Sequence, residues 1–547
     1  MCNEAPPSRR IDPVTPLVFL ALLGAVLGLQ WGSGAYRAEL AGHPDEAAHY
    51  VTGLMLRDWV AAGLPASPLR FAENFYVHYP KVALGHWPPV FYLVQAAWTL
   101  VFSPSRVAVL LLMALLAAAV ALLLYLRLRA ECGKLIAVAM ALLLVSLPIV
   151  QRFTHMVMTE VLVMLLSFGA ALVYGRFLEK PAWRETILFS LLAVLAIMTN
   201  GKGLALALLP PLAVLIGWRW ELLRSVLFWF PALPVAVLCG PWYALITSRS
   251  LAMAGRPSGE FTRVAAVENL RLLAGFFGWW TCGLILAGLA VKVLGPLRRG
   301  RMSGPWAALL ALILSVWAFH SVVRAGLEWR YMMTAIPPAI ALAGAGARWL
   351  ADVLSRAGLR AAWAAVCVLL ATGALYAWER FTLVVKPSDG YPALVRELLA
   401  KPEFRHSVML VAADAAREGA FIAEVAVQER RPGHVVLRAT KMLASSTWSG
   451  RQYRTRYDHP EDVGDFLESV PVGLVALDTD PTVPWRPHRQ QLVEALRQRP
   501  DRWALVNLEA YPNSRLRVYR LAGHESRPAG KVRVDMRPRL GRVIESQ

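Results

Sequence analysis

Cysteine is scarce in this 547-residue chain, and so is charge. The five cysteines, Cys2, Cys132, Cys239, Cys282 and Cys367, are scattered over apolar segments and their edges, with no CxxC pair. That spacing offers no disulfide framework and no zinc motif, and the five read as small buried hydrophobes. Charged residues make up only 17% of the chain against 57% hydrophobic, with a mean hydropathy of +0.46. One soluble core could not hide so much apolar surface, so the chain reads as an integral membrane protein. Acid is the scarcer sign: 37 Asp and Glu against 57 Lys and Arg, a net charge of +20. In a soluble protein that excess would suggest nucleic acid. Here the arginines sit in short loops between apolar runs, where the positive-inside bias accounts for them, and no nucleic-acid partner is expected. No small-residue cleavage pattern follows the first apolar run, which reads as a retained span. No internal repeat is visible.

What the chain has in quantity is apolar runs long enough to cross roughly 30 Å of hydrocarbon. They lie at residues 13–31, 107–126, 135–150, 161–178, 187–198, 204–218, 226–246, 272–294, 306–323, 331–350 and 362–378. One further stretch, "HWPPVFYLVQAAWTLVF" at 86–102, is apolar but short and opens on a proline pair. If it lies in the interface plane, all the short basic loops, such as "RLRAECGK" and "KVLGPLRRGR", fall on the cytoplasmic side. The expectation is therefore a mainly α, polytopic protein of about eleven spans plus in-plane juxtamembrane helices, in a bacterial-type inner membrane. The N-terminus is inside and everything after residue 379 outside, at the periplasmic face. After 379 the runs shorten: "SVMLVAAD", "GHVVLRAT", "VGLVALDT", "WALVNLEAY" and "RLRVYRL" read as strands, "DVGDFLESV" and "HRQQLVEALRQ" as helices. Alternating strands and helices predict a small α/β domain. The predicted divisions are a membrane domain over 1–379 with a long outer loop at 32–105, an α/β domain over 380–524 and a loose tail over 525–547.

That parity gathers Asp45, Glu46, Glu160, Lys202 and Arg330 at one membrane face. The acidic pair in "HPDEAAHY" starts a helix, and capping explains it as well as chemistry does. The length of loop 32–105 favours chemistry, since long ordered loops are usually functional. Glu160 opens an apolar span, where a solvated span end is the plain alternative. Lys202, between Gly201 and Gly203, and Arg330 both precede span N-termini, where phosphate binds well; lysine snorkelling is the competing account of Lys202. Together the two cations suit a phosphate carried on a lipid. His43, Asp45, Glu46, His49, His78 and His86 share one loop, so a divalent metal is a further reading. Carboxylates suit magnesium or manganese and imidazoles zinc, but no spacing matches a ligand motif and no ligand is assigned.

In order, "HPDEAAHY", "WPPVFY", "HMVMTE", "TNGKGLALALLPP" and "RYMMTAIPPAIAL" resemble the motifs of the GT-C membrane glycosyltransferases. The nearest group is that of the protein O-mannosyltransferases and lipid A aminoarabinose transferases, over roughly the first 380 residues. The resemblance implies a polyprenyl-phosphate-linked sugar donor and a lipid, glycan or protein acceptor. It implies Asp45 as base, Glu46 as its neighbour, Glu160 as second acid and Lys202 at the phosphate. Relatives often carry a lysine just before the proline of the loop motif, where this chain has Trp87; either Lys81 or His86 substitutes, or the donor headgroup is held differently. The chemistry agrees independently. A lipid phosphate leaving outside the cytoplasm needs preorganised cations, the acceptor hydroxyl needs a base, and a single displacement inverts the anomeric carbon. A transporter or flippase of lipid-linked substrate, or a non-catalytic binder of such lipids, is the rival reading; transporters place ionisable groups near the midplane and often show repeats.

Overall fold

The computed structural model describes residues 13–83, 85–247, 258–298, 302–324, 326–405, 407–446, 452–470, 472–482, 485–508, 515–523, 533–535 and 543–545. Seven helices are long and apolar enough to cross a membrane: α1 (Val14–Gly32), α5 (Arg106–Cys132), α8 (Glu160–Glu179), Val226–Leu245, Gly259–Leu294, Gly304–Val322 and Ala361–Glu379. Helices α6 (Lys134–Ser146) and α7 (Pro148–Thr154) form an eighth, bent by 64° at Leu147. Proline at the first position of α7 cannot donate back to the preceding turn, which is the cause of the bend. Three shorter or more polar elements pack among them: α9 (Trp183–Ile197), Gly201–Gly217 and Ile336–Arg356. The protein is thus a multi-pass, mainly α membrane protein, as its composition predicts.

Small residues set the closest helix crossing. A Cβ on Gly288 would lie 1.9 Å from the Leu342 carbonyl oxygen, and one on Gly346 would lie 2.0 Å from that of Leu284. Only glycine allows the 259–294 and 336–356 helices to approach so closely, the usual device where apolar packing against lipid offers no driving force of its own.

Between α1 and α5 lie three helices that do not fit the span pattern: α2 (Glu46–Ala61), α3 (Pro68–His78) and α4 (Val90–Val101). The 86–102 stretch yields only the 12-residue α4. At 1.5 Å per residue α4 is about 18 Å long, well short of the roughly 30 Å hydrocarbon. It packs along α2, with Gln95 Nε2 donating to the Tyr50 carbonyl at 3.0 Å.

After the last span the chain forms an α/β unit. Its five-stranded sheet has the order β2–β1–β5–β7–β6, where β1 is Val408–Ala412, β2 Val436–Arg438, β5 Val472–Asp478, β6 Trp503–Leu505 and β7 Leu516–Leu521. Strands β1, β2 and β5 are parallel, with Leu410 level with Leu437 and Val475; β7 and β6 close the other edge antiparallel. The central strands β1 and β5 are buried along their whole length, as expected of parallel strands covered on both faces. All five strands and both helices read from the sequence are present. Three helices were missed, Tyr391–Ala400, Ala415–Gln428 and the single turn Ala439–Met442. Two minor strands, β3 (Ala444–Ser445) and β4 (Arg454–Thr455), pair antiparallel. Most of the tail expected to be loose, 525–547, lies outside the described residues. Its described residues form an antiparallel ribbon of β8 (Arg533–Asp535) and β9 (Val543–Glu545), a pairing of two short valine-bearing stretches.

Candidate functional site

Four of the predicted residues converge. Asp45 stands at the N-cap of α2, Glu160 is the first residue of α8, Lys202 lies in the 3-10 helix Gly201–Leu208 and Arg330 in the 3-10 helix Trp329–Ala335. Arg330 Nη1 donates to Asp45 Oδ2 at 3.2 Å and lies 3.7 Å from Glu160 Oε1. Lys202 Nζ donates to the same Glu160 oxygen at 2.5 Å. Arg330 Nη2 donates to Glu328 at 3.2 Å. Three carboxylates thus face two cations, a net charge of −1. Exposure grades across the cluster: the Glu160 side chain is 1% exposed, Asp45 12%, Arg330 15% and Glu328 39%. Glu160 is the floor and Glu328 the rim.

Each group is held from behind. Asn200 Oδ1 caps the Lys202 backbone N–H at 3.2 Å while its Nδ2 donates to Thr159 Oγ1 at 2.9 Å, tying the lysine turn to the start of α8. Lys202 Nζ also lies 5.1 Å above the Tyr331 ring, whose plane stacks on His320. His43 Nδ1 accepts from the Asp45 backbone N–H at 3.1 Å. That ring nitrogen is therefore unprotonated, and its 3.5 Å approach to Asp45 Oδ2 is not an ion pair. His49, buried in α2 behind Asp45, shares a hydrogen with Tyr92 Oη at 2.8 Å, and burial pushes its pKa down to about 4. Burial also pushes Asp45 upward, but His49, Arg330 and His43 outweigh it and hold the carboxyl below its ordinary value. With the imidazoles neutral at pH 7, Arg330 is the charge that matters.

Three predicted residues are placed elsewhere. Glu46 is fully buried and turned away from Asp45: it accepts from Lys386 Nζ at 2.6 Å and from the Gly42 and Val157 amides at 2.8 and 3.4 Å. It is a strut between loop, span start and the segment after the last span. Lys81 is buried too and donates to the Pro44 and Ala415 carbonyls at 3.0 and 2.9 Å. His86 lies edge-on to Trp87 at 4.6 Å, and Trp87 in turn packs on His49 at 4.3 Å. Among the described residues no group of three or more His, Cys, Asp or Glu is placed to hold a metal ion. The six candidates are spread, with Glu46 engaged by Lys386 and His78 against the Gly433 carbonyl.

Asn200, Glu328 and Arg152 have no individual mark in the sequence. Arg152, in α7, stacks over the Trp329 ring at 4.3 Å, next to Arg330 in the chain. A guanidinium lying flat on indole keeps its donors pointing outward in the ring plane.

Residues 86–244 match the family model for dolichyl-phosphate-mannose-protein mannosyltransferase. No curated protein matches the chain in sequence. Among solved structures, ArnT from Cupriavidus metallidurans bound to undecaprenyl phosphate is similar with a TM-score of 0.57 at 15% identity, over 95% of this chain and 100% of that one. Its apo form is similar with 0.56 at 16%, over 93% and 98%. The archaeal oligosaccharyltransferase AglB from Archaeoglobus fulgidus, in complex with an inhibitory peptide and a dolichol-phosphate, gives 0.51 at 12%, over 85% and 69%. The chain has the GT-C fold and resembles the membrane glycosyltransferases that share it.

Proposed function

We propose that the protein is a membrane glycosyltransferase that moves a sugar from a polyprenyl-phosphate-linked donor to an acceptor hydroxyl at the external membrane face, with inversion. The observation that carries this reading is the meeting of Asp45, Glu160, Lys202 and Arg330 in one half-buried cluster at the ends of spans. A carboxylate held ionised beside a guanidinium is suited to take a proton from an attacking hydroxyl. Asp45 accepts that proton as the acceptor oxygen bonds to the anomeric carbon and the carbon–oxygen bond to phosphate breaks. The leaving phosphate gathers negative charge, which Arg330 and Lys202 receive in a setting of low dielectric. Glu160 is too enclosed to meet a substrate; in this reading it anchors the two cations and keeps them from closing on phosphate too tightly.

Arg152, over the ring of Trp329 and so beside Arg330 in the chain, supplies a further cation suited to a lipid phosphate. An apolar groove of about 490 Å³ between α1, α6 and the 361–379 helix ends at Ser146 and Tyr376, two residues before α7 begins. Such a groove suits a prenyl chain. The shortness of α4 supports an in-plane placement of 86–102, and with the short basic loops inside the N-terminus is then cytoplasmic and the α/β unit external. A transporter would need its ionisable groups near the midplane, whereas these stand at span ends. The test is transfer by purified Asp45→Asn with a polyprenyl-phosphate-sugar donor. The variant is expected to fold, to bind polyprenyl phosphate and to lose transfer; undiminished transfer would remove Asp45 as base.

A further inference from the structure

The cluster is reached from an unexpected side. Lys81 and the Pro44 carbonyl belong to the first loop, but the second acceptor of the Lys81 ammonium, the Ala415 carbonyl, opens the Ala415–Gln428 helix of the α/β unit, 334 residues away. Pro44 is bonded directly to Asp45. The helix presents Gly419 at this point: a Cβ there would lie 2.6 Å from Lys81 Cε and 2.9 Å from the Ala47 Cβ. The absent side chain lets the helix close down on Lys81 and on the first turn of α2 together. The same two surfaces are pinned further along. Arg431 donates to Asp58 Oδ2 at 2.5 Å, Tyr79 Oη to Glu429 at 2.6 Å, and Arg106 pairs with Glu424.

We infer that the α/β unit is a working part of the site: through Lys81 it holds the Pro44–Asp45 turn at the distance from Arg330 and Glu160 that the chemistry requires. Lys81 is a positioning residue, acting on Asp45 through one carbonyl. A lysine suits the task because its three donors can bridge two carbonyls that share no hydrogen bond of their own. Its stem, 8% exposed, fills the space that Gly419 leaves. Displacing a reacting group by about 1 Å can cost up to 100-fold in rate, so a loosened turn shows in turnover and not in donor affinity.

This inference rests on the glycosyltransferase reading, and the test separates the two. Lys81→Met removes both hydrogen bonds from the loop side, and Gly419→Ala displaces the ammonium from the α/β side with Lys81 intact. Each purified full-length variant is compared with wild type for transfer kinetics, for binding of polyprenyl phosphate and for hydrogen exchange of the backbone amides of residues 45–54. The expected result is faster exchange in both variants, kcat lowered about 10–100-fold, and donor KM and polyprenyl phosphate affinity within about twofold of wild type. Unchanged exchange, or a raised KM with kcat intact, overturns the positioning role; the second outcome would return Lys81 to the phosphate. If exchange rises while even the wild type transfers no sugar, the clasp stands and the glycosyltransferase reading falls.

Discussion

Glu160→Gln separates two roles for the buried carboxylate. If Glu160 transferred a proton, the amide would abolish chemistry and leave binding alone. If it restrains Lys202 and Arg330, as its contacts at 2.5 and 3.7 Å indicate, the effect is the reverse. Hydrogen bonds to a charged partner contribute about 1.5–3 kcal/mol net against about 0.5–1.5 for neutral ones. The Lys202 ammonium stays charged and still donates to the amide oxygen, so what is released is the carboxylate's share of the ion pair, on the order of 1–1.5 kcal/mol of restraint on that lysine. A phosphate can take up that release, which tightens binding of polyprenyl phosphate by about 5–12-fold. The cluster changes from three carboxylates against two cations to two against two, and Lys202, whose one direct carboxylate partner among the described residues is Glu160, keeps the amide oxygen and the Tyr331 ring, so thermal unfolding is measured alongside to separate the lost ion pair from the released restraint. In the proposed reaction polyprenyl phosphate is also the leaving product of transfer. Multiple-turnover kcat is therefore expected to fall through product retention, with single-turnover transfer largely kept. The assay is titration of purified protein with polyprenyl phosphate beside single- and multiple-turnover transfer. Affinity equal to or weaker than wild type, or loss of single-turnover transfer, refutes the restraint.

Arg152→Gln is expected to raise donor KM about tenfold, near the loss of one charge-assisted hydrogen bond, with kcat within about twofold in steady-state assays. Because Asp45 has a folded pKa below its unfolded one, its ionised form adds stability that is complete above the usual carboxylate value of about 3.9 and is lost as pH falls through the lower folded value. Activity measured against pH is accordingly expected to show no acidic loss assignable to Asp45 down to about pH 5. Lys386→Met leaves Glu46 charged and buried without its cation, at a cost of about 3–5 kcal/mol; thermal unfolding should drop well below wild type and recover in part when Glu46→Gln is added.

Most of the membrane architecture is legible because lipid imposes length and hydropathy on every span, and both are local properties. The same holds for β1 and β5, which are buried end to end and therefore read as continuous apolar runs. What is not legible is partnership. Glu46 sits beside Asp45 in sequence and has the same chemistry, yet its cation comes from residue 386, so only the fold sends the two carboxylates in opposite directions. Lys81 looks like a loop lysine free for phosphate until the Ala415 carbonyl arrives on it. Arg152 reads as an ordinary interfacial arginine, and its stacking on Trp329 has no local signal. The strands of the tail are three residues each, too short for any period to register.

The cluster also shows why the cations and Glu160 come from the positions they do. Ionisable groups are costly in hydrocarbon and are tolerated where a span meets the interface. Glu160 begins α8 directly, whereas Lys202 and Arg330 lie in short 3-10 helices that precede their spans. A 3-10 turn rises about 2.0 Å per residue against 1.5 Å for an α-helix, so it carries a side chain farther along the axis than the same residues would in an α-helix. It also exposes backbone amides near the start of the following helix, where negative charge is favoured. Asp45, at the N-cap of α2, comes to the same level from outside the bundle, held by the loop and the α/β unit instead of by a span. The cations and their anchor are thus fixed to the membrane scaffold, while Asp45 rides on a separate support. Substitutions in the Ala415–Gln428 helix are accordingly expected to alter turnover and leave donor affinity alone in steady-state transfer assays, and substitutions at Asn200, which braces Lys202 and Thr159, to do the opposite.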